Sequence, residues 1–166
     1  MKTRIITLAL LSAVWGPSLP AAEVTISGRI TAMPCTVDAS VNQTLDLGKV
    51  QRRDLQQAGT GSPWKPFSLT LSSCPPSTST ATVTFTGTPD SADSNAFISS
   101  GTATGVALQL SKADGSLILA NNASLSMTID SARKAAFPLA ARIYSPKGLS
   151  GSGTFSSVVQ VNLSYQ

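Results

Sequence analysis

The side chains that most often perform chemistry are sparse in this chain of 166 residues, and histidine is missing altogether. That excludes a Ser-His-Asp or Cys-His nucleophile and any zinc site that needs imidazole. Asp46, Asp90, Asp93, Asp114 and Asp130 are scattered. Asp90 and Asp93 are close enough to suggest calcium, but the spacing of an EF-hand loop is absent, so a turn role is expected for them. No carboxylate pair is placed for acid–base work. Gly101 to Gly105 lacks the Gly-Lys-Ser/Thr ending of a phosphate loop. Trp64 follows Pro63; burial at the start of a strand is its expected fate, with sugar stacking as the alternative. Asn42-Gln43-Thr44, Asn122-Ala123-Ser124 and Asn162-Leu163-Ser164 match the glycosylation triplet. With 25 Ser and 18 Thr in the chain, such matches arise by chance. Arg52-Arg53 and Arg133-Lys134 read as solvated loop charges, unlike the basic surface that nucleic-acid binding requires. The chain is therefore read as a non-enzyme, with no cofactor, metal or nucleic-acid partner.

Cys35 and Cys74 are the two cysteines. Their meaning depends on the compartment. Residues 1–22 have the form of a signal peptide: Lys2 and Arg4, an apolar run from Ile5 to Trp15, then Ala21-Ala22 for cleavage. A cut after Ala22 leaves Glu23 first; a cut one residue earlier is the alternative. The apolar run is too short to span a bilayer comfortably, and no later run is longer, so no membrane anchor is expected. Removing the leader takes Lys2 and Arg4 with it, leaving 10 basic and 8 acidic residues, net +2. In an exported chain an even pair of cysteines reads as one disulfide, with two free thiols as the alternative. Such a loop corresponds to about 4 kcal/mol of stabilisation in the chain-entropy picture.

The elements that position these residues have a period of two. Val24, Ile26, Gly28 and Ile30 fall on one side of a strand. Leu45 and Leu47 alternate with Asp46. Residues 51–63 read as a loop, with one helical turn around Arg53 to Ala58. Phe67, Leu69 and Leu71 alternate up to Cys74, where Pro75-Pro76 stops the strand. Val83 and Phe85 share a face. Val106, Leu108 and Leu110 lead into a hairpin at Asp114-Gly115, with Leu117 and Leu119 returning. Leu125, Met127 and Ile129 form a further run. Pro138 interrupts Phe137 to Tyr144, which suggests an edge position or a bulge. In the last run Phe155, Val159, Val161, Leu163 and Tyr165 share one face with Ser157, and only Val158 breaks the alternation. Short strands at this spacing predict an all-β antiparallel sandwich of one domain.

Three features together resemble chaperone–usher pilus subunits. The first is the alternating N-terminal segment with its central glycine, Val24-Thr25-Ile26-Ser27-Gly28-Arg29-Ile30. The second is the cysteine pair, with Cys35 just after that segment in Pro34-Cys35-Thr36-Val37. The third is the C-terminal pattern, with Gly153 fourteenth from the end and Tyr165 penultimate. The stretch from Leu55 to Cys74 looks closest to the minor tip-fibrillum adaptors of type 1 pili.

The resemblance implies an incomplete immunoglobulin-like sandwich lacking its last strand, completed by donor-strand complementation. It implies an extension at residues 23–31, inserting Val24, Ile26, Gly28 and Ile30 into a neighbour, and a pilin domain at 32–166. Gly28 would sit where the groove is too shallow for a side chain. Gly153, Phe155, Val159, Val161, Leu163 and Tyr165 would belong to the strand beside the chain's own groove, which a chaperone recognises together with the terminal carboxylate that Gln166 supplies. The implied partners are a periplasmic chaperone, an outer-membrane usher and neighbouring subunits; the implied location is the periplasm, then the cell-surface pilus. Strand addition of this type draws affinity from main-chain bonds and specificity from alternating side chains. A mature length suited to one domain implies an adaptor without a lectin domain. A major shaft pilin is the alternative, and a self-contained secreted sandwich that binds a ligand is the third reading. Periodicity alone cannot distinguish a missing strand from an ordinary first and last strand.

Overall fold

The computed structural model describes residues 34–38 and 43–166. The expected leader, the extension and its residues Val24, Ile26, Gly28 and Ile30 lie outside them. Nine strands occur in the described part: β1 (Thr36–Val37), β2 (Thr60–Gly61), β3 (Lys65–Ser72), β4 (Thr80–Thr86), β5 (Phe97–Ile98), β6 (Ala107–Lys112), β7 (Ser124–Thr128), β8 (Ala135–Ser145) and β9 (Gln160–Tyr165). One short 3-10 turn, Arg52–Leu55, stands where a helical turn was expected.

The strands form two antiparallel sheets. The larger has the order β1-β3-β8-β6-β5, with β2 also on β8; the smaller has the order β7-β4-β9. Each sheet turns its apolar set inward. In β4 the pattern alternates strictly, so Ala81, Val83 and Phe85 are buried and the threonines between them are not. Those threonines pair across the outer face, as Thr82–Ser126 and Thr84–Ser124 hydroxyl contacts of 2.8 Å. Leu71, Phe97 and Phe137 from the larger sheet meet Val83 and Phe85 from the smaller in one core. Burying each large side chain contributes about 1.5–3 kcal/mol.

Pro138 is not in an edge strand. β8 is central, with β3 on one side and β6 on the other. The Pro138 carbonyl accepts a bond from Ala113 N–H at 3.1 Å, so its nitrogen also faces that side. The β6 ladder has ended by then, at Lys112 opposite Leu139. The missing N–H therefore costs the β3 ladder nothing, and no bulge is needed.

The hairpin at Asp114-Gly115 forms as expected. Gly115 takes φ 72°, and the Lys112 and Leu119 N–H groups bond Leu117 and Leu110 carbonyls at 3.0 and 2.9 Å. The disulfide also forms: Cys35 and Cys74 are joined, 39 residues apart, and both are buried. It ties the start of β1 to the chain just past β3.

Candidate functional site

The C-terminal run changes partner along its length, and only its last part, from Gln160, belongs to a sheet. Its first part, residues 151–157, lies against residues 98–104. Ser100, Ala103 and Gly151 N–H groups bond the Ser156, Thr154 and Thr104 carbonyls at 2.7, 2.9 and 2.9 Å. Thr102 and Thr154 exchange N–H to hydroxyl bonds of 3.1 and 2.9 Å. This approach is too close for side chains at two points. A β-carbon on Gly153 would lie 2.4 Å from the Ala103 nitrogen, and one on Gly101 would lie 2.1 Å from the Thr154 carbonyl oxygen. Gly153 is thus required by packing of the backbone itself.

From Gln160 onward the run pairs with β4 as β9. Tyr165, Leu163 and Val161 stand opposite Ala81, Val83 and Phe85. Phe155, Val159, Leu163 and Tyr165 all pack on the main core, as the sequence pattern predicted. Burial raises the Tyr165 pKa above its ordinary value. Val158 points outward and is 76% exposed, so it leaves the alternation unbroken. Gln166 closes the strand: its carbonyl oxygen accepts bonds from Ser79 and Thr80 N–H at 2.6 and 2.9 Å.

Among the described residues, β9 pairs only with β4, so its second edge has no ladder. Val161 faces the core beside the fully buried Phe85, yet it is 41% exposed. Leu45 and Leu47 reach the same core from residues 43–50, with Asp46 turned out. That stretch has the strand-like alternation expected of it but forms no strand ladder. Among the described residues the second edge of β9 and the stretch 43–50 thus have no ladder, and apolar residues at both are only partly buried. Chemically, such an arrangement can add an extended peptide; it holds no catalytic constellation. No group of three or more potential metal ligands occurs among the described residues.

The other singled-out residues take structural roles. Asp90 and Asp93 accept bonds from Ala92 and Asn95 N–H at 2.8 and 2.9 Å, so each caps a turn. Trp64 is half-buried rather than buried, with the Arg142 guanidinium 4.4 Å from its ring centroid. Arg142 Nε donates to Gln109 at 2.8 Å, and burial lowers the Arg142 pKa.

Two readings of charge need correction. Arg133 is not a free loop charge: its guanidinium bonds the Cys74 and Thr78 carbonyls at 2.9 and 3.0 Å and holds the turn beside the disulfide. Arg52 Nε bonds the Ser150 carbonyl at 2.8 Å. Only partner positions far along the chain give these roles, and the sequence carries no local signal for them.

A family model described as "Fimbrial protein" matches residues 24–166. The chain is 33% identical over 160 residues to Protein FimG of Escherichia coli (strain K12), covering 95% of this chain and 94% of that protein. It is 34% identical over 162 residues to the fimbrial-like protein YdeR of the same strain, covering 96% and 95%. In fold it superposes on the crystal structure of the P pilus rod subunit PapA with a TM-score of 0.67, at 22% identity, covering 81% of this chain and all of that one. The chain belongs to the fimbrial protein family. It is a structural, non-catalytic subunit of chaperone–usher pili with an immunoglobulin-like sandwich that lacks its last strand.

Proposed function

We propose that this chain is a minor adaptor of the pilus tip, joining its neighbours by accepting one strand and donating another. The observation that supports this most is the edge of β9 that has no ladder among the described residues, where Val161 faces the core and remains 41% exposed. An apolar edge of this type invites aggregation unless it is covered. A periplasmic chaperone covers it first; after delivery to the outer-membrane usher, the next subunit's extension replaces the chaperone. The strand would lie between β9 and residues 43–50, over Val159, Val161, Leu163 and Tyr165.

In turn, Val24, Ile26 and Ile30 of this chain enter a neighbour's groove. Burying the three contributes about 5–9 kcal/mol before ordering costs. Gly28 fits a shallow point between them. The adaptor position is supported by the extent of the similarity to FimG, 95% of this chain, and by the resemblance across Leu55 to Cys74.

Native mass spectrometry of the periplasmic protein, co-expressed with a pilus chaperone, tests the mechanism. A one-to-one complex that loses its chaperone to a synthetic peptide of a neighbouring subunit's N-terminal extension is the expected result. A stable, chaperone-free monomer would leave a complete secreted sandwich as the better reading. Quantifying the chain in sheared pili tests the position: a few copies per fibre fit an adaptor, and stoichiometric abundance fits a shaft pilin.

A further inference from the structure

The outer face of the larger sheet carries an arginine whose charge no acidic side chain answers. In β8 the core takes Phe137, Leu139, Ala141 and Ile143, so Arg142 and Tyr144 face outward. Register places Gln109 of β6 opposite Arg142 on one side. On the other side Trp64 stands one residue beyond the Lys65–Ala141 pair. The guanidinium lies 4.4 Å from the Trp64 ring centroid and 5.4 Å from that of Tyr144, both within cation–π range.

The arginine is held in place. Its Nε donates to the side-chain oxygen of the buried Gln109 at 2.8 Å. A β-carbon on Gly61 would lie 3.0 Å from Arg142 Cδ and Nε, so glycine keeps that space for the side chain. Ser62 exchanges bonds with Ile143, N–H to carbonyl at 2.8 Å and N–H to hydroxyl at 3.1 Å, which fixes the segment that carries Trp64. Among the described residues the ion pairs are Arg53–Asp54 and Lys112–Asp114, so Arg142 has no acidic partner. Its one hydrogen bond there is through Nε, and no buried side-chain nitrogen lacks a partner, so the two terminal nitrogens face solvent. A guanidinium stacked on rings, anchored at Nε and open at its outer edge is set to take a bidentate anion.

We propose that Arg142, Trp64 and Tyr144 form a binding site for a carboxylated sugar, a hexuronic acid residue of a glycan. The carboxylate projects from the edge of such a ring and meets the open edge of the guanidinium. The ring hydrogens form an apolar face that packs on the aromatic side chains. Sugar hydroxyls need donors and acceptors, and both are at hand. The Tyr144 phenol is the donor, and Asp93 lies close enough to it to raise its pKa further, after burial. A lone acidic side chain of a protein has no use for that second set of groups. The patch also spans only a few side chains, whereas a specific protein interface takes about 20–30 residues a side. The site lies on the larger sheet and β9 on the smaller, so strand addition leaves it open.

Tryptophan fluorescence tests this. Trp15 lies in the expected leader, so Trp64 is the single tryptophan of the mature chain and reports the site directly. The probe is methyl β-glucuronide, with methyl β-glucoside as its uncharged counterpart and N-acetylglutamate amide as a carboxylate without a sugar ring. The mature chain is freed of chaperone by a tryptophan-free extension peptide of a neighbouring subunit; a chain that needs no peptide is titrated as it is, so the site and the strand reading fail separately. The glucuronide should give a saturable change, with a dissociation constant of about 1 mM for a ligand this small. The other two probes should give none in that range. Arg142→Lys keeps the charge but loses the planar fork, and should weaken glucuronide binding about tenfold. Arg142→Gln should abolish it; where that variant lowers the melting temperature, the Lys variant carries the test. Equal binding of the glucoside would overturn the role of the charge, and equal binding of the glutamate amide would replace the sugar with an acidic peptide. No response well above the expected constant, or unchanged affinity in both Arg142 variants, would overturn the site.

Discussion

Phe85 and Val161 stand opposite each other in one ladder and point to the same side, yet Phe85 is 1% exposed and Val161 is 41%. Phe85 lies on β4, which has a neighbour on each edge; Val161 lies on β9, which among the described residues has one. The larger sheet gives the same lesson. β8 has ladders on both sides, and Phe137, Leu139 and Ala141 on it are at most 2% exposed. The difference between the two regions is therefore a matter of strand count, not of side-chain pattern. One region is closed by its own strands; in the other, among the described residues, one edge has no ladder.

The comparison predicts opposite responses to substitution. In the closed region, Phe137→Ala should cost about 3–5 kcal/mol, because neighbours on both sides cannot collapse into the cavity. Urea unfolding of the chain complemented with a neighbouring subunit's extension peptide measures this; a loss near that of a surface residue would mean that the closed core is not well packed. Replacing Cys35 and Cys74 with Ser should cost about 4 kcal/mol and lower periplasmic yield, since a loop of this length is released in a chain already short of a strand. Unchanged yield and stability would remove the disulfide from the account.

In the open region the response should appear in binding. Val161→Asp places a charge where an incoming strand must cover it. Affinity for a neighbouring subunit's extension peptide should fall about 100-fold, the equivalent of roughly 2.7 kcal/mol of unpaired burial. An unchanged affinity would place the groove elsewhere. Gly28→Phe in the donating segment should likewise impair incorporation into pili while leaving chaperone binding intact, because the chaperone does not hold that segment. Normal pili from this variant would count against the donor role.

Much of this division was legible in the residues. The inward row from Phe155 to Tyr165 follows from a period of two, and the Asp114-Gly115 turn from the left-handed φ that glycine supplies. The position of Pro138 was not legible: its cost depends on where β6 ends, which is set by tertiary register and not by local pattern. Leu45 and Leu47 show the same limit, since their alternation predicts a strand but not that it has no ladder among the described residues. The roles of Arg133 and Ser150 are not legible locally, because their bonds reach the Cys74 and Leu55 carbonyls, 59 and 95 residues away. The open edge itself became readable only through resemblance, because periodicity marks which side chains face inward and not what covers them.

The smallest expected effect belongs to the surface of the closed region, at the β6 hairpin. Asp114 accepts bonds from the Ser116 hydroxyl at 2.7 Å and N–H at 3.0 Å, and Lys112 lies 3.4 Å away. The Ser116 hydroxyl, then its N–H, holds the carboxyl down to about 2 from the ordinary 3.8. A folded pKa below the unfolded one means the carboxylate's contribution is complete above 3.8 and is lost as pH falls toward about 2. The group is fully exposed, so solvent limits the size of that contribution. Carboxyl chemical shifts in the complemented chain should give a midpoint near 2, moving toward 3.8 in Ser116→Ala. A wild-type midpoint already at 3.8 would mean the turn is not held by Ser116. Peptide affinity at the open edge should not change in this variant, because the hairpin belongs to the part of the fold that is already complete.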